Sequence, residues 1–241
     1  MARKRITERD LLGFQTRAEA LSREVEAKYE EMDRRKQAEP EPVRALGLLL
    51  LHDTEADVNQ LARFAGRMER AGHAVEMPEL VRIAPRDPLD RTPEWQHRHG
   101  RAQGGYLQLK PRARRIVAIG TGRSSPLAAL MAEQYPIDAL ITVGGGLRTR
   151  RGARSRKPGQ SADLRIARIA RGNLYMIVCP VLTIVPEDCG AFTAQSASMY
   201  ATDTRSDDVR RLDLPGANVE TVWEAREEEI AEAVSAFLAE L

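Results

Sequence analysis

The sequence predicts an α/β fold: a mostly parallel sheet with helices on both faces, preceded by a helical arm. Three observations predict it. From Val43 onward, apolar runs of strand length alternate with amphipathic segments of helix length, the pattern of strands joined by helical crossovers. The run Ala45–Leu51 is apolar without interruption, as a strand covered on both faces must be. And 241 residues, 42% hydrophobic and 30% charged, supply one sizeable core rather than a disordered chain.

Residues 7–38 contain no proline and read as one helix. Leu11, Phe14, Ala18, Leu21, Val25 and Met32 fall at 3-4 spacing, with Lys28 the one break in the seam. Pro40 and Pro42 end it, because proline cannot continue the helical ladder. Residues 1–42 are therefore expected as an arm and linker, and 43–241 as the domain. The seam fits either the domain's own surface or a helix of a partner or second copy.

Within the domain, 45–51 is the first strand and 57–71 an amphipathic helix stopped by Gly72. Residues 73–77 make the next strand, 78–93 a Pro- and Arg-rich loop, and 94–109 a helix weakened by Gly100, Gly104 and Gly105. Strands are expected at 116–119, 139–143, 178–185 and 209–214, with helices at 125–134, 194–201 and 224–240. No internal repeat breaks the series.

Composition narrows the partners. Thirty-seven basic residues against 35 acidic leave a net charge of +2, so attraction to nucleic acid or membrane must come from local patches. All but five of the basic residues are Arg. The basic N-terminus leads into no apolar segment and no apolar run approaches a membrane span, so the expectation is a cytoplasmic protein with no membrane association. Two cysteines, Cys179 and Cys189, make no disulfide framework. His52, His73, His97 and His99 are scattered, so no metal or other cofactor is expected.

Five segments, in order, carry a resemblance. LGLLLLHDTEADVNQLARFAGRMERAGHAVEMPEL reads as strand, His-containing loop, helix and strand, and RTPEW comes after it. RRIVAIGTGRSSPLAALMAEQYP reads as strand, tight turn and helix, CPVLTIVPEDCGAFTAQSASMY comes next, and LPGANVETVWEAREEEIAEAVSAFL closes the chain. Together they resemble the carboxylesterase and monoacylglycerol-lipase branch of the α/β-hydrolase family over residues 43–241. The resemblance implies that fold and a Ser-His-Asp triad.

In that family the nucleophile sits in Gly-x-Ser-x-Gly, on a strained strand-to-helix turn. The five positions here are Gly120, Thr121, Gly122, Arg123 and Ser124, so the nucleophile position is Gly122. The acid position is Asp188, with Glu187 adjacent, and the histidine position is Asn218, whose amide has no pKa suited to a base. His52 is followed by Asp53 and Thr54 where the family has glycine, which places a carboxylate against the oxyanion site. The resemblance therefore implies a triad lacking serine and histidine, in a protein that acts by binding.

Two alternatives use the same turn. Ser124, approached by His52, is the candidate for a displaced nucleophile in an active ester hydrolase, although Ser124 and Ser125 also suit helix N-capping. Alternatively, Asp53, Thr54, Gly122, Arg123 and Ser124 surround a helix start able to hold a small anion. Gly120–Ser125 half-matches a dinucleotide fingerprint, but the next strand ends in Gly144-Gly-Gly146 and not in an acidic residue. The basic loop 148–157 stands where the family inserts its lid. It carries no aromatic residue, so it lacks both the apolar face for an acyl chain and the stacking groups for nucleic acid.

Overall fold

The computed structural model describes residues 43–53, 59–80, 92–147, 160–188, 190–218 and 221–241. The arm at 7–38, Thr54 and the basic loop 148–157 lie outside these residues.

Six strands form one parallel sheet: β1 (Arg44–Leu51), β2 (Ala74–Glu76), β3 (Ala113–Thr121), β4 (Ala139–Val143), β5 (Val181–Asp188) and β6 (Val209–Asn218). Their spatial order is β2-β1-β3-β4-β5-β6, every neighbouring pair parallel. Sequence order reverses between β1 and β3. In such sheets the crevice at the carboxyl ends of the strands flanking the reversal is where function collects.

The helices are α1 (Asn59–Arg70), α2 (Glu94–Leu109), α3 (Ser125–Gln134), α4 (Gln160–Asn173), α5 (Gly190–Asp203), α6 (Val222–Ala225) and α7 (Glu227–Ala239). Alternation along each strand divides the core in two. Leu49, Leu51, Ile116 and Ala118 face the side packed by α2, α3, α4 and Tyr200 of α5. Leu48, Leu50, Val117 and Ile119 face α1, α6 and α7, where Phe64 and Trp223 meet edge to face at 5.2 Å.

Several expected boundaries move. Helices 94–109 and 125–134 and strand 139–143 are as predicted, whereas β3 begins at Ala113, three residues before the all-apolar run: its pairing with β1 reaches back to Arg44, while Arg114 and Arg115 are exposed and leave no apolar signal. β5 starts after Pro180, and β6 runs through Pro215 to Asn218, which an edge strand tolerates. The single terminal helix is two, α6 and α7, separated at Arg226. Helix α4 has no counterpart in the expected series.

Candidate functional site at the strand switch point

Register alone brings the central pair together. Leu51 of β1 lies opposite Gly120 of β3, so two residues further on, where both strands leave the sheet, Asp53 faces Gly122. Thr121 is extended (φ −118°, ψ 141°), Gly122 then turns to φ +50°, and a 3-10 turn Gly122–Ser124 passes into α3. Positive φ costs a side-chain-bearing residue strain, so glycine suits this turn. Close packing fixes it further. A Cβ on Gly120 would stand 2.6 Å from Ser125 Cα, and one on Gly145 1.9 Å from Ser125 Cβ.

The space beside Gly122 is taken. A Cβ built on Gly122 would fall 1.8 Å from Oδ2 of Asp53. That oxygen accepts a 2.9 Å hydrogen bond from the backbone N–H of Arg123. The residue after the nucleophile position supplies an oxyanion donor in the resembling family. Here the donor at that place is engaged by the protein's own carboxylate.

His52 is 1% exposed and committed to structure. Its Nε2 accepts the Leu80 N–H at 3.0 Å, which places the proton on Nδ1, from where it donates to Asp53 O at 2.9 Å. Neither ring nitrogen is left to activate Ser124. Ser124 and Ser125 are buried at the start of α3, yet the Ser124 side chain makes no cap hydrogen bond, and Ser125 Oγ donates back to Gly120 O at 3.0 Å. Capping is not what these hydroxyls do.

A chain of charges runs from the turn toward α4. Arg123 Nη1 lies 3.9 Å from Asp163 Oδ2. The other oxygen of Asp163 accepts from Arg98, whose Nη2 in turn donates to Glu94 Oε1 at 2.8 Å. Arg98 is only 6% exposed, and among the described residues its Nε has no hydrogen-bond partner. Burial pushes the Asp163 carboxyl up to about 6, reinforced by Asp53 and resisted by Arg98 and Arg123. Sequence reasoning missed this network. The Glu94–Arg98 pair at i,i+4 was its one visible sign.

Asp188 and Asn218 sit elsewhere along the same edge. They close β5 and β6, two and three strands from β3, and are register partners beside an irregularity at Pro186–Asp188. Asn218 Nδ2 donates to Asp188 Oδ2 at 2.8 Å, and Glu187 Oε2 accepts from Gly216 N at 2.7 Å. This corner is open: Glu187 and Asp188 are exposed and Asn218 half-buried. The three positions assigned to nucleophile, acid and base thus all lie at the carboxyl edge of the sheet. Among the described residues no group of three or more His, Cys, Asp or Glu could hold a metal ion, and no helix is long and apolar enough to cross a membrane.

No protein-family model matches the chain, and no curated protein matches it. Solved structures do. A structure of LipS and LipT, two metagenome-derived lipolytic enzymes, aligns with TM-score 0.69 at 16% identity, covering 83% of this chain and 96% of that one. A monoacylglycerol lipase of Paleococcus ferrophilus aligns at 0.62 with 12% identity, covering 82% and 95%. Est1E of Butyrivibrio proteoclasticus aligns at 0.61 with 14% identity, covering 85% and 90%. With these neighbours and the parallel order β2-β1-β3-β4-β5-β6, the chain has the α/β-hydrolase fold.

Proposed function

We propose that this is a hydrolase-fold protein that has given up ester hydrolysis and works by binding. One observation carries the proposal: the Asp53 carboxylate occupies the place of a nucleophilic side chain and accepts the N–H that would stabilise an oxyanion. Hydrolysis of an ester builds negative charge on the carbonyl oxygen, and a carboxylate already on the donor opposes that charge. An ion pair, Arg98 with Asp163, lies buried next to Arg123. Asn218 keeps a hydrogen bond to Asp188, as an orienting acid requires, but its amide cannot take a proton from an attacking group.

Binding is assigned to the arm, residues 7–38, as a contact with a partner chain or a second copy, in a protein expected to be cytoplasmic. The anion-binding alternative at Gly122, Arg123 and Ser124 competes with a carboxylate already in place and ranks below it.

A second reading, an active ester hydrolase with Ser124 as nucleophile, is favoured by the lipolytic and esterase neighbours and by a Ser124 side chain not used as a cap. Turnover of p-nitrophenyl acetate and labelling by a fluorophosphonate separate the two. The binding protein gives neither above a heat-denatured control. Enzymic turnover that disappears in Ser124→Ala establishes the hydrolase instead.

A further inference from the structure

On the sheet face away from α3, helix α1 sends Leu61, Phe64 and Met68 into the core. The same helical period turns Arg63, Gly66, Arg67 and Arg70 outward. These four, with Ala62 and with Glu227 from the first turn of α7, line a cleft of about 320 Å³. Gly66 opens its floor: a Cβ there would meet nothing within 4 Å.

The charges in the cleft are unequal. Arg67 is held by α7, its Nε 3.3 Å from Glu227 Oε1 and its Nη2 3.9 Å from Glu228 Oε1. Among the described residues, Arg63 and Arg70 form no ion pair with a carboxylate. They stand seven residues apart, about 10 Å along the helix axis. The lining therefore holds three guanidinium groups against the one carboxylate of Glu227, and within the described residues two of the three are uncompensated. No lining residue is aromatic.

We propose that this cleft binds a phosphorylated small molecule through its phosphate groups, with Arg63 and Arg70 as the gripping residues. Guanidinium forks match phosphate oxygens in bidentate fashion. The volume lies at the small end of the range for small-molecule sites. Two uncompensated charges carried two helical turns apart suit an extended polyanion better than a single phosphate, since Glu227 opposes a weakly charged ligand. With no ring to stack on, the site reads phosphate and not the group attached to it.

Calorimetric titration of inorganic tripolyphosphate into the full chain tests this. The expected result is saturable one-to-one binding, weakened about tenfold or more in the Arg63→Ala, Arg70→Ala double variant. Gly66→Leu, whose Cβ meets nothing within 4 Å and whose side chain extends into the cleft, improves helix propensity and is expected to weaken binding as strongly with Tm unchanged or raised. Arg211→Ala, already paired with Asp213 on β6, is expected to bind like the parent chain. Absence of saturable binding up to about 1 mM overturns the proposal. So does binding that the cleft variants leave intact, and so does uptake of an acidic peptide where tripolyphosphate fails.

Discussion

The turn at the ends of β1 and β3 and the corner at the ends of β5 and β6 belong to one sheet edge, yet they are built in opposite ways. At the turn, Ser124 and Ser125 are buried, Gly120 and Gly145 press on Ser125, and the Asp53 carboxylate fills the space beside Gly122. At the corner, Asp188 and Glu187 are exposed and a Cβ on Gly216 would meet nothing within 4 Å. The turn is part of the core, so its shape persists whatever its chemistry. The corner is a surface feature, where one hydrogen-bonding side chain exchanges for another at little cost.

The contrast is sharpest at Gly145. Gly145→Ala drives a methyl into Ser125 and is expected to cost about 3 kcal/mol, read as a lowered denaturation midpoint. Gly216→Ala at the corner has φ +68° as its only penalty and is expected to cost about 1 kcal/mol. Equal losses would erase the distinction between the two regions.

Restoring a side chain at the turn is the next test. Gly122→Ser places its Cβ on Asp53 at positive φ, an expected loss of about 2 kcal/mol. Adding Asp53→Ala removes the two closest contacts, Oδ2 and Cγ, so a double-mutant cycle is expected to show at least about 1 kcal/mol of favourable coupling. Additive losses would mean that Asp53 is not what fills the site.

The charge chain beside the turn adds a pH signature. Asp163 titrates at about 6 in the fold against an ordinary value of 3.8, so between these limits the native state binds the extra proton. Stability is then lost as pH rises from about 4 to about 6, at up to about 1 kcal/mol per unit. Asp163→Asn keeps an acceptor for Arg98 and is expected to flatten that slope. Glu133, at the far end of α3, has the same sign over a wider window. Its burial, opposed in part by the Asn173 amide, pushes it up to about 8. The comparison is therefore made in a Glu133→Gln background.

The smallest effect belongs to the corner. Asn218→Ala removes an exposed hydrogen bond to Asp188 and is expected to cost less than about 0.5 kcal/mol in urea denaturation. A large loss would show that the corner is as constrained as the turn.

Legibility in the sequence tracks the range of the signals. Helix 125–134 and strand 139–143 are fixed by local cues, Ser125-Pro126 at one start and, at the other, a five-residue run whose one polar member is Thr142. The proximity of Asp53 to the oxyanion site came from the resemblance. Its bond to Arg123 depends on strand register across seventy residues, which no local pattern carries. Helix α4 escaped because its buried stripe, Ala162, Ile166, Ala167 and Ala170, is mostly alanine and comes after a run rich in Arg, Pro and Gly. Asp163 was lost with it, and so was the reason Arg98 is buried.

The imidazole of His52 fastens the exit of β1 to the backbone at Leu80, just past β2. Helix α1 and strand β2 are thereby a loop tied off at both ends by one ring. The Leu80 amide proton is expected to exchange with deuterium only when that knot slips, so a single resonance reports the opening of the whole excursion.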